Sequence, residues 1–195
     1  MDGGWMRIAV LTSGLVLALA ACVPVKPEMA QPVMGWDHRP EAAEWTVSTM
    51  QAVAAHDTVL AASQPSDIRQ WCPGYPEANL TERRAFWVAM LSAVAKYESS
   101  WNPKAAGGGG AYIGVMQISP ATARHFGCEA QSSAALKDGA ANLECAVKIM
   151  ADQVGNDQAV VGNGRQGLGR DWMPFRKADK RAAMAAWVGR QSYCN

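Results

Sequence analysis

Apolar side chains recur at the spacing of a helix face in the middle of the chain. Trp87, Leu91, Val94 and Glu98 stand at offsets of 0, 4, 7 and 11, so they share one face of a helix. The hydroxyl of Thr81 is suited to cap the start of that helix, where backbone N–H groups are free. The pattern predicts a helix that starts after Thr81 and carries a carboxyl group at the far end of its apolar stripe.

Further helices are predicted after this one. Ser119 followed by Pro120 is typical of a helix start, because the serine caps the helix and proline fits its first position. Longer helices are predicted over 138–154 and 179–190, whereas residues 111–118 predict a short strand or an extended loop. The predicted fold class is therefore mainly α, with little or no β-sheet.

The N-terminal residues have the composition of an export signal. Arg7 precedes an apolar run over 8–21 that is too short to span a bilayer comfortably, which predicts a signal peptide at residues 1–21. The ending Leu19-Ala20-Ala21-Cys22 resembles the lipobox of bacterial lipoproteins, which implies that Cys22 becomes the acylated first residue. The alternative is an ordinary signal peptidase site with an incidental cysteine. Because Val23 rather than Asp follows, the resemblance implies an outer-membrane anchor facing the periplasm.

Three segments follow the predicted signal peptide. The Pro-rich composition of residues 22–40 suits an extended tether that lets an anchored domain reach away from the membrane. The Ala-rich stretch over 41–65 predicts an N-terminal helix that Pro65 ends. Residues 70–195 are then predicted to form the main domain.

Charge and histidine content exclude two classes of function. The formal net charge is +1, so no basic field favours a nucleic-acid partner. The three histidines do not stand at helical ligand spacing, so a catalytic zinc site is not expected.

Export places the four remaining cysteines in an oxidising compartment, where two disulfides are expected. Four cysteines allow three connectivities. We favour Cys128–Cys145, which closes a short loop, and Cys72–Cys194, which ties the start of the domain to its end.

Glu98 stands where a carboxylate is unfavourable. An apolar helix face desolvates it and the C-terminal end of the helix dipole repels it, and both effects favour the protonated form. A carboxylic acid that stays protonated near neutral pH can protonate a leaving oxygen in a glycosidase. The alternative is an exposed Glu at a frayed helix end. Ordinary glycosidases use two carboxyl groups, but residues 99–128 contain no Asp or Glu, which favours a single-acid mechanism.

Two motifs carry a family resemblance. The run Glu98-Ser99-Ser100-Trp101-Asn102-Pro103, followed by Gly114-Val115-Met116-Gln117-Ile118-Ser119-Pro120, resembles the soluble lytic transglycosylase domain, which has a lysozyme-like fold. The resemblance implies that Glu98 acts first as acid and then as base on peptidoglycan glycan strands, cleaving the bond between N-acetylmuramic acid and N-acetylglucosamine. The product would be a 1,6-anhydromuramic end, formed without consuming water. No metal or cofactor is expected.

The same resemblance implies substrate contacts. Met116 and Gln117 would line the sugar site, although core packing is an equal alternative for Met116. Gly107 stands near the place of a serine that helps to hold substrate, and Tyr112 follows in the same glycine-rich stretch. The later Tyr-Asn-Ala-Gly motif of the family is not recognisable, and Tyr112 or Tyr193 could substitute for its tyrosine.

Two other functions remain open from the sequence. A hydrolytic muramidase would need a second positioned carboxylate, such as Asp171. A peptidoglycan-binding lipoprotein without activity would fit the missing tyrosine motif.

Trp101 is expected to pack in the core, with stacking on a sugar as the alternative. The basic cluster of Arg176, Lys177, Lys180 and Arg181 is expected to be a solvated face.

Overall fold

Six α-helices and one two-stranded hairpin, joined by loops and 3-10 turns, make up the part of the chain that the computed structural model describes, residues 1–3 and 31–195. The helices are α1 (Ala42–Ala54), α2 (Ile68–Trp71), α3 (Leu80–Glu98), α4 (Pro120–His125), α5 (Gly139–Asp157) and α6 (Ala178–Val188). The antiparallel strands are β1 (Ala106–Gly107) and β2 (Tyr112–Ile113). The mainly α prediction is confirmed. Cys22, the tether up to residue 30 and almost all of the predicted signal peptide lie outside the described residues.

Helix α3 is the centre of the hydrophobic core. Every residue over 85–95 is buried, and Ser92 is the one polar member of that stretch. A helix that is apolar around its whole circumference is typical of a core element. The helix is therefore fixed on all sides before it reaches Glu98, its last residue.

The start of α3 differs from the prediction. Asn79, not Thr81, is the N-cap, and its side-chain oxygen accepts the N–H groups of Thr81 at 3.0 Å and Glu82 at 3.1 Å. The Glu82 carboxylate accepts the Asn79 N–H at 2.8 Å in return, which completes a capping box. The capping box satisfies more of the free N–H groups than Thr81 could alone.

Helices α1 and α5 pack against each other and α1 also packs against α3. Gly139 opens α5 directly against the ring of Trp45, where a Cβ atom would come within 2.4 Å of the indole nitrogen. Asp138 caps α5 by accepting the N–H of Ala141 at 2.9 Å. The predicted N-terminal helix over 41–65 therefore packs on the main domain, but it ends at Ala54 and turns follow it.

The last part of the predicted tether is packed rather than extended. Residues from Gln31 onward belong to the same compact unit as the helices. Met34 and Trp36 are buried, and Gly35 donates its N–H to the Ser92 hydroxyl at 2.8 Å. Any extended tether therefore ends before this segment, because burial of two large side chains holds it against the core.

Both predicted disulfides are present. Cys72–Cys194 and Cys128–Cys145 join Cα atoms 4.7 and 5.2 Å apart, across sequence separations of 122 and 17 residues. The longer bridge fixes the C-terminal end beside the start of the domain, where the Gly74 N–H also donates to the Cys194 carbonyl at 2.8 Å. Cross-links over long loops restrict the unfolded chain most.

The hairpin of β1 and β2 pairs Ala106 with Ile113 and Gly107 with Tyr112. A further bridge joins Ile113 to Ile118, so the segment after β2 folds back on the hairpin. The prediction of a short strand or extended loop over 111–118 is met by this small hairpin. No helix among the described residues is both long and apolar enough to cross a membrane.

Candidate active site

Glu98 is half-buried at the C-terminal end of α3. Trp87, Leu91 and Val94, the other members of the predicted stripe, are all completely buried. Burial raises the pKa of Glu98 from its ordinary value of 4.5 to about 7, and the positive charge of Lys180 opposes part of this rise. Near neutral pH a substantial fraction of this carboxyl therefore carries a proton that it can donate.

No second carboxylate influences the pKa of Glu98 within residues 31–195, where Lys180 is its one charged influence. Asp171, the predicted partner for a hydrolytic mechanism, has Arg176, Asp152 and Arg170 as its charged neighbours instead. Nothing in these charge interactions pairs Glu98 with Asp171.

The loop that follows α3 is held against the second motif. The Ser99 hydroxyl donates to the Val115 carbonyl at 2.7 Å. Ser100 and Trp101 then adopt positive φ angles of 52° and 57°, which turn the chain sharply away from the helix axis. The indole N–H of Trp101 donates to the Ser92 carbonyl at 2.8 Å, so Trp101 packs along α3 as expected.

Asn142 on α5 holds the Gly114–Gln117 segment from the other side. This fully buried side chain accepts the Met116 N–H at 2.8 Å and donates to the carbonyls of Ile113 and Leu136, both at 3.0 Å. A Cβ atom on Gly114 would lie 2.5 Å from the Asn142 amide nitrogen, so only glycine fits there. Sequence reasoning missed Asn142. The signal in the sequence was its spacing: Asn142 stands four positions before Ala146 and seven before Ile149, so this polar residue shares the buried face of α5.

Gln117, Gly107 and Tyr112 come together on the hairpin. Gln117 has a positive φ of 50°, and its side-chain amide donates to the Gly114 carbonyl at 2.9 Å. A Cβ atom on Gly107 would lie only 2.4 Å from the Gln117 side-chain oxygen, so the missing side chain makes room for that amide. Tyr112 pairs with Gly107 and is half exposed. The structure therefore places three of the four predicted substrate residues on one surface.

Comparison with known proteins assigns the family. The family model for the transglycosylase SLT domain matches residues 77–183, which is more than half of the chain. The chain belongs to the SLT transglycosylase domain family. The matched range contains α3, the hairpin, α4 and α5, and it therefore includes Glu98 and Gln117.

Solved structures share the fold of this SLT domain. The wild-type form 2 of Bd0314 DslA has a TM-score of 0.76 at 23% identity, covering 85% of this chain and 100% of its own. Two mutants of the same protein, each with one glutamate replaced by glutamine, give TM-scores of 0.76 and 0.77 at 22% and 23% identity with the same coverage. No curated protein matches the chain.

Met116 differs from the other predicted substrate residues of the SLT domain. Its side chain is completely buried, and its carbonyl accepts the Trp172 indole N–H at 3.1 Å. Of the two alternatives, core packing describes Met116 in this structure, because a completely buried side chain has no surface to offer a sugar.

The basic cluster of the SLT domain is not simply a solvated face. Arg176 and Arg181 are half-buried and donate to backbone carbonyls of Gly169 and Phe175, at 2.9 and 2.8 Å. Lys180 is also half-buried, and its charge acts on Glu98. Only Lys177 fits the prediction, because it is exposed.

The two tyrosines considered as substitutes for the family tyrosine have other roles. The Tyr193 hydroxyl donates to the Val33 carbonyl at 3.2 Å and is buried beneath the N-terminal segment. Tyr112 lies on the hairpin with its side chain half exposed to solvent.

No group of three or more potential metal ligands occurs among the residues that the structure describes.

Proposed function

We propose that this chain is a peptidoglycan lytic transglycosylase with Glu98 as its single acid and base. The observation that carries the proposal is a half-buried carboxyl group at the end of α3, with its pKa raised to about 7 by burial and with Lys180 as its one charged influence among residues 31–195. One group with a pKa near the working pH can both give and take a proton efficiently. Membership of the SLT family supports the reaction class.

The first step of the proposed reaction is acid catalysis. Protonated Glu98 donates its proton to the glycosidic oxygen between N-acetylmuramic acid and N-acetylglucosamine. The bond from the muramic anomeric carbon to that oxygen breaks, and the bonding electrons leave with the N-acetylglucosamine hydroxyl. The N-acetyl group of the muramic sugar assists at the anomeric carbon, which removes the need for a second carboxylate.

The second step reverses the role of the carboxyl group. The Glu98 carboxylate takes the proton of the muramic C6 hydroxyl, whose oxygen forms a bond to the anomeric carbon of the same sugar. Glu98 is again protonated and the product carries a 1,6-anhydro ring. The C6 oxygen thus replaces the glycosidic oxygen at the anomeric carbon, and any bond from the assisting N-acetyl oxygen to that carbon breaks as the new one forms. Because the nucleophile belongs to the sugar itself, no water is consumed.

The hairpin supplies the proposed substrate surface. The Gln117 amide is fixed by its bond to the Gly114 carbonyl, and its oxygen faces Gly107. An amide fixed in this way offers a hydrogen bond to a sugar at little entropic cost. The exposed ring of Tyr112 adds a face on which a sugar can pack.

The site of action is proposed from the sequence. A signal peptide that ends at Cys22 would place the domain in the cell envelope, held by a lipid at the outer membrane and facing the periplasm. That location brings it to its proposed substrate, the glycan strands of the wall. Both the anchor and the location stay predictions.

The test is a digestion of purified peptidoglycan by the full-length chain, with fragments weighed by mass spectrometry. We expect fragments with anhydro ends, and no release by Glu98→Gln. Glu129→Gln is the matched control, because Glu129 is exposed, and it should keep full activity. Fragments heavier by one water would indicate a hydrolytic muramidase. Binding without any cleavage by the wild-type chain would indicate a wall-binding protein.

A further inference from the structure

A cavity of about 300 Å³ lies between α3 and α6. Its lining combines two cationic residues with aromatic and apolar ones: Lys96, Tyr97, Trp101, Met184, Trp187 and Arg190. Glu98 is not part of this lining, but its neighbour Tyr97 is. The cavity is therefore distinct from the Glu98 site, but the two are adjacent because Tyr97 precedes Glu98 on α3.

The cations at this cavity have no acidic partner in the part of the chain that the structure describes. Lys96 and Arg190 are exposed, and neither forms an ion pair with any residue over 31–195. Asp37 on the N-terminal segment accepts the Met34 N–H at 2.9 Å and forms no ion pair with either cation. Unpaired cations beside a cavity leave a positive charge that an anionic ligand can neutralise.

The ring of Tyr97 joins the cavity to the surroundings of Glu98. The Lys180 ammonium lies 5.1 Å from the centre of this ring, and the Lys96 ammonium lies 5.8 Å from it. Lys180 is also the charged group that acts on Glu98. Tyr97 and Lys180 therefore connect the cavity to the surroundings of Glu98.

We propose that this cavity binds the acidic peptide branch of the peptidoglycan strand, with Lys96 and Arg190 receiving its carboxylates. The inference rests on the proposed function, in which Glu98 acts at a muramic sugar. The peptide branch is attached to that same type of sugar, so the branch leaves the strand beside the reacting bond. Trp187 and Trp101 offer half-buried rings to the aliphatic parts of the branch.

The positive charge of the cavity lining indicates which part of the substrate the cavity binds. A glycan without peptides offers one lactyl carboxylate on each muramic sugar, close to the ring, whereas a peptide branch offers several carboxylates that can reach both Lys96 and Arg190. A guanidinium such as that of Arg190 binds a carboxylate with two parallel hydrogen bonds, which adds geometric selectivity. The branch is therefore the part of the substrate that this cavity complements.

The test measures binding of the full-length Glu98→Gln chain to soluble glycan oligomers, with and without their peptides. Titration calorimetry compares Lys96→Gln combined with Arg190→Gln against the control Arg165→Gln, an exposed arginine outside the cavity. We expect the double variant to lose about tenfold in affinity for peptide-bearing oligomers, the scale of one charged hydrogen bond. Affinity for stripped oligomers, which keep only their lactyl carboxylates, should fall much less, and the control should behave like the parent.

Two results would overturn the proposal. The parent chain could bind intact and stripped oligomers equally, or the double variant could weaken both to the same extent. Digestion of peptidoglycan by the wild-type chain shows whether the peptide site or the proposed activity has failed. Anhydro fragments without any dependence on peptides would refute the peptide site alone, whereas peptide-dependent binding without cleavage would refute the proposed activity alone.

Discussion

Replacing Glu98 by Gln removes a titratable group that burial disfavours in its charged form. Gln has nearly the same shape and cannot ionise, so the variant keeps the packing of the carboxyl group without its charge. We expect Glu98→Gln to be more stable than the wild-type chain at pH 8 and nearly equal to it at pH 4. The gain in stability would accompany the loss of the proposed catalytic acid, as is common when an active-site group destabilises the fold.

The size of the effect follows from the pKa shift. Each pKa unit corresponds to about 1.4 kcal/mol, so a rise from 4.5 to about 7 sets an upper limit of about 3.5 kcal/mol. Glu98 is only half-buried, and solvent screening reduces the value to about 2 kcal/mol. Because the folded pKa is raised, the wild-type stability is fully present below about pH 4.5. It is lost as the pH rises towards 7.

The assay is urea unfolding of both chains at pH 4, 6 and 8, with the disulfides intact. Subtracting the free energies of unfolding at each pH cancels the titration of all other groups. Glu129→Gln serves as the control, because its carboxyl group is exposed and its difference from wild type should stay constant. A difference between Glu98→Gln and wild type that changes by less than about 0.5 kcal/mol from pH 4 to 8 would refute the buried-acid account.

Three further predictions address the reaction and the hairpin. Activity, as kcat/KM for fragment release, should fall about tenfold per pH unit above pH 7, because the fraction of protonated Glu98 falls in that way. Asn142→Ala should lower the free energy of unfolding by about 2–4 kcal/mol, measured in urea, since it leaves buried backbone groups without partners. Gly107→Ala should lower kcat/KM about tenfold with a stability change below about 1 kcal/mol, because the new Cβ displaces the Gln117 amide.

Each of these predictions has its own control. A flat pH profile between 7 and 9 would mean that Glu98 is not the proton donor. Asn156→Ala replaces an exposed asparagine of the same helix. It should lower the free energy of unfolding much less than Asn142→Ala does. In a Gln117→Ala background, Gly107→Ala should cost no further activity, and a full additional loss would show that the displaced amide is not the cause.

The helical framework could be predicted because its signal is local and periodic. The stripe of α3 and the start of α4 at Ser119 and Pro120 follow from sequence alone. The first residue of α3 could not be fixed, since Asn79 and Thr81 are both good caps. In the structure Asn79 is the N-cap, and its partner Glu82 completes the capping box.

The limit of the tether depended on contacts that composition does not reveal. Proline-rich composition indicates an extended chain, but Gly35 bonds to Ser92 and Val33 accepts from Tyr193. These partners lie 57 and 160 positions away along the chain. Only the folded core brings them to the segment, so a local pattern could not show where the tether ends.

The candidate site was partly predictable for the same reason. Glu98 stood out because its position on an apolar stripe is visible in the sequence. Asn142 and Lys180 come from α5 and α6, and only tertiary packing brings them to the end of α3 and its hairpin. Met116 could not be assigned from sequence, since an apolar side chain fits a core and a sugar site equally well.

The most direct test of a single-acid reaction is digestion of peptidoglycan in water labelled with heavy oxygen. In the proposed reaction the muramic C6 oxygen closes the ring, so solvent contributes no atom to the product. Mass spectrometry of the fragments released by the wild-type chain should show anhydro ends without label. Fragments that carry one labelled oxygen at the new muramic end would contradict the account, because water would then be the nucleophile.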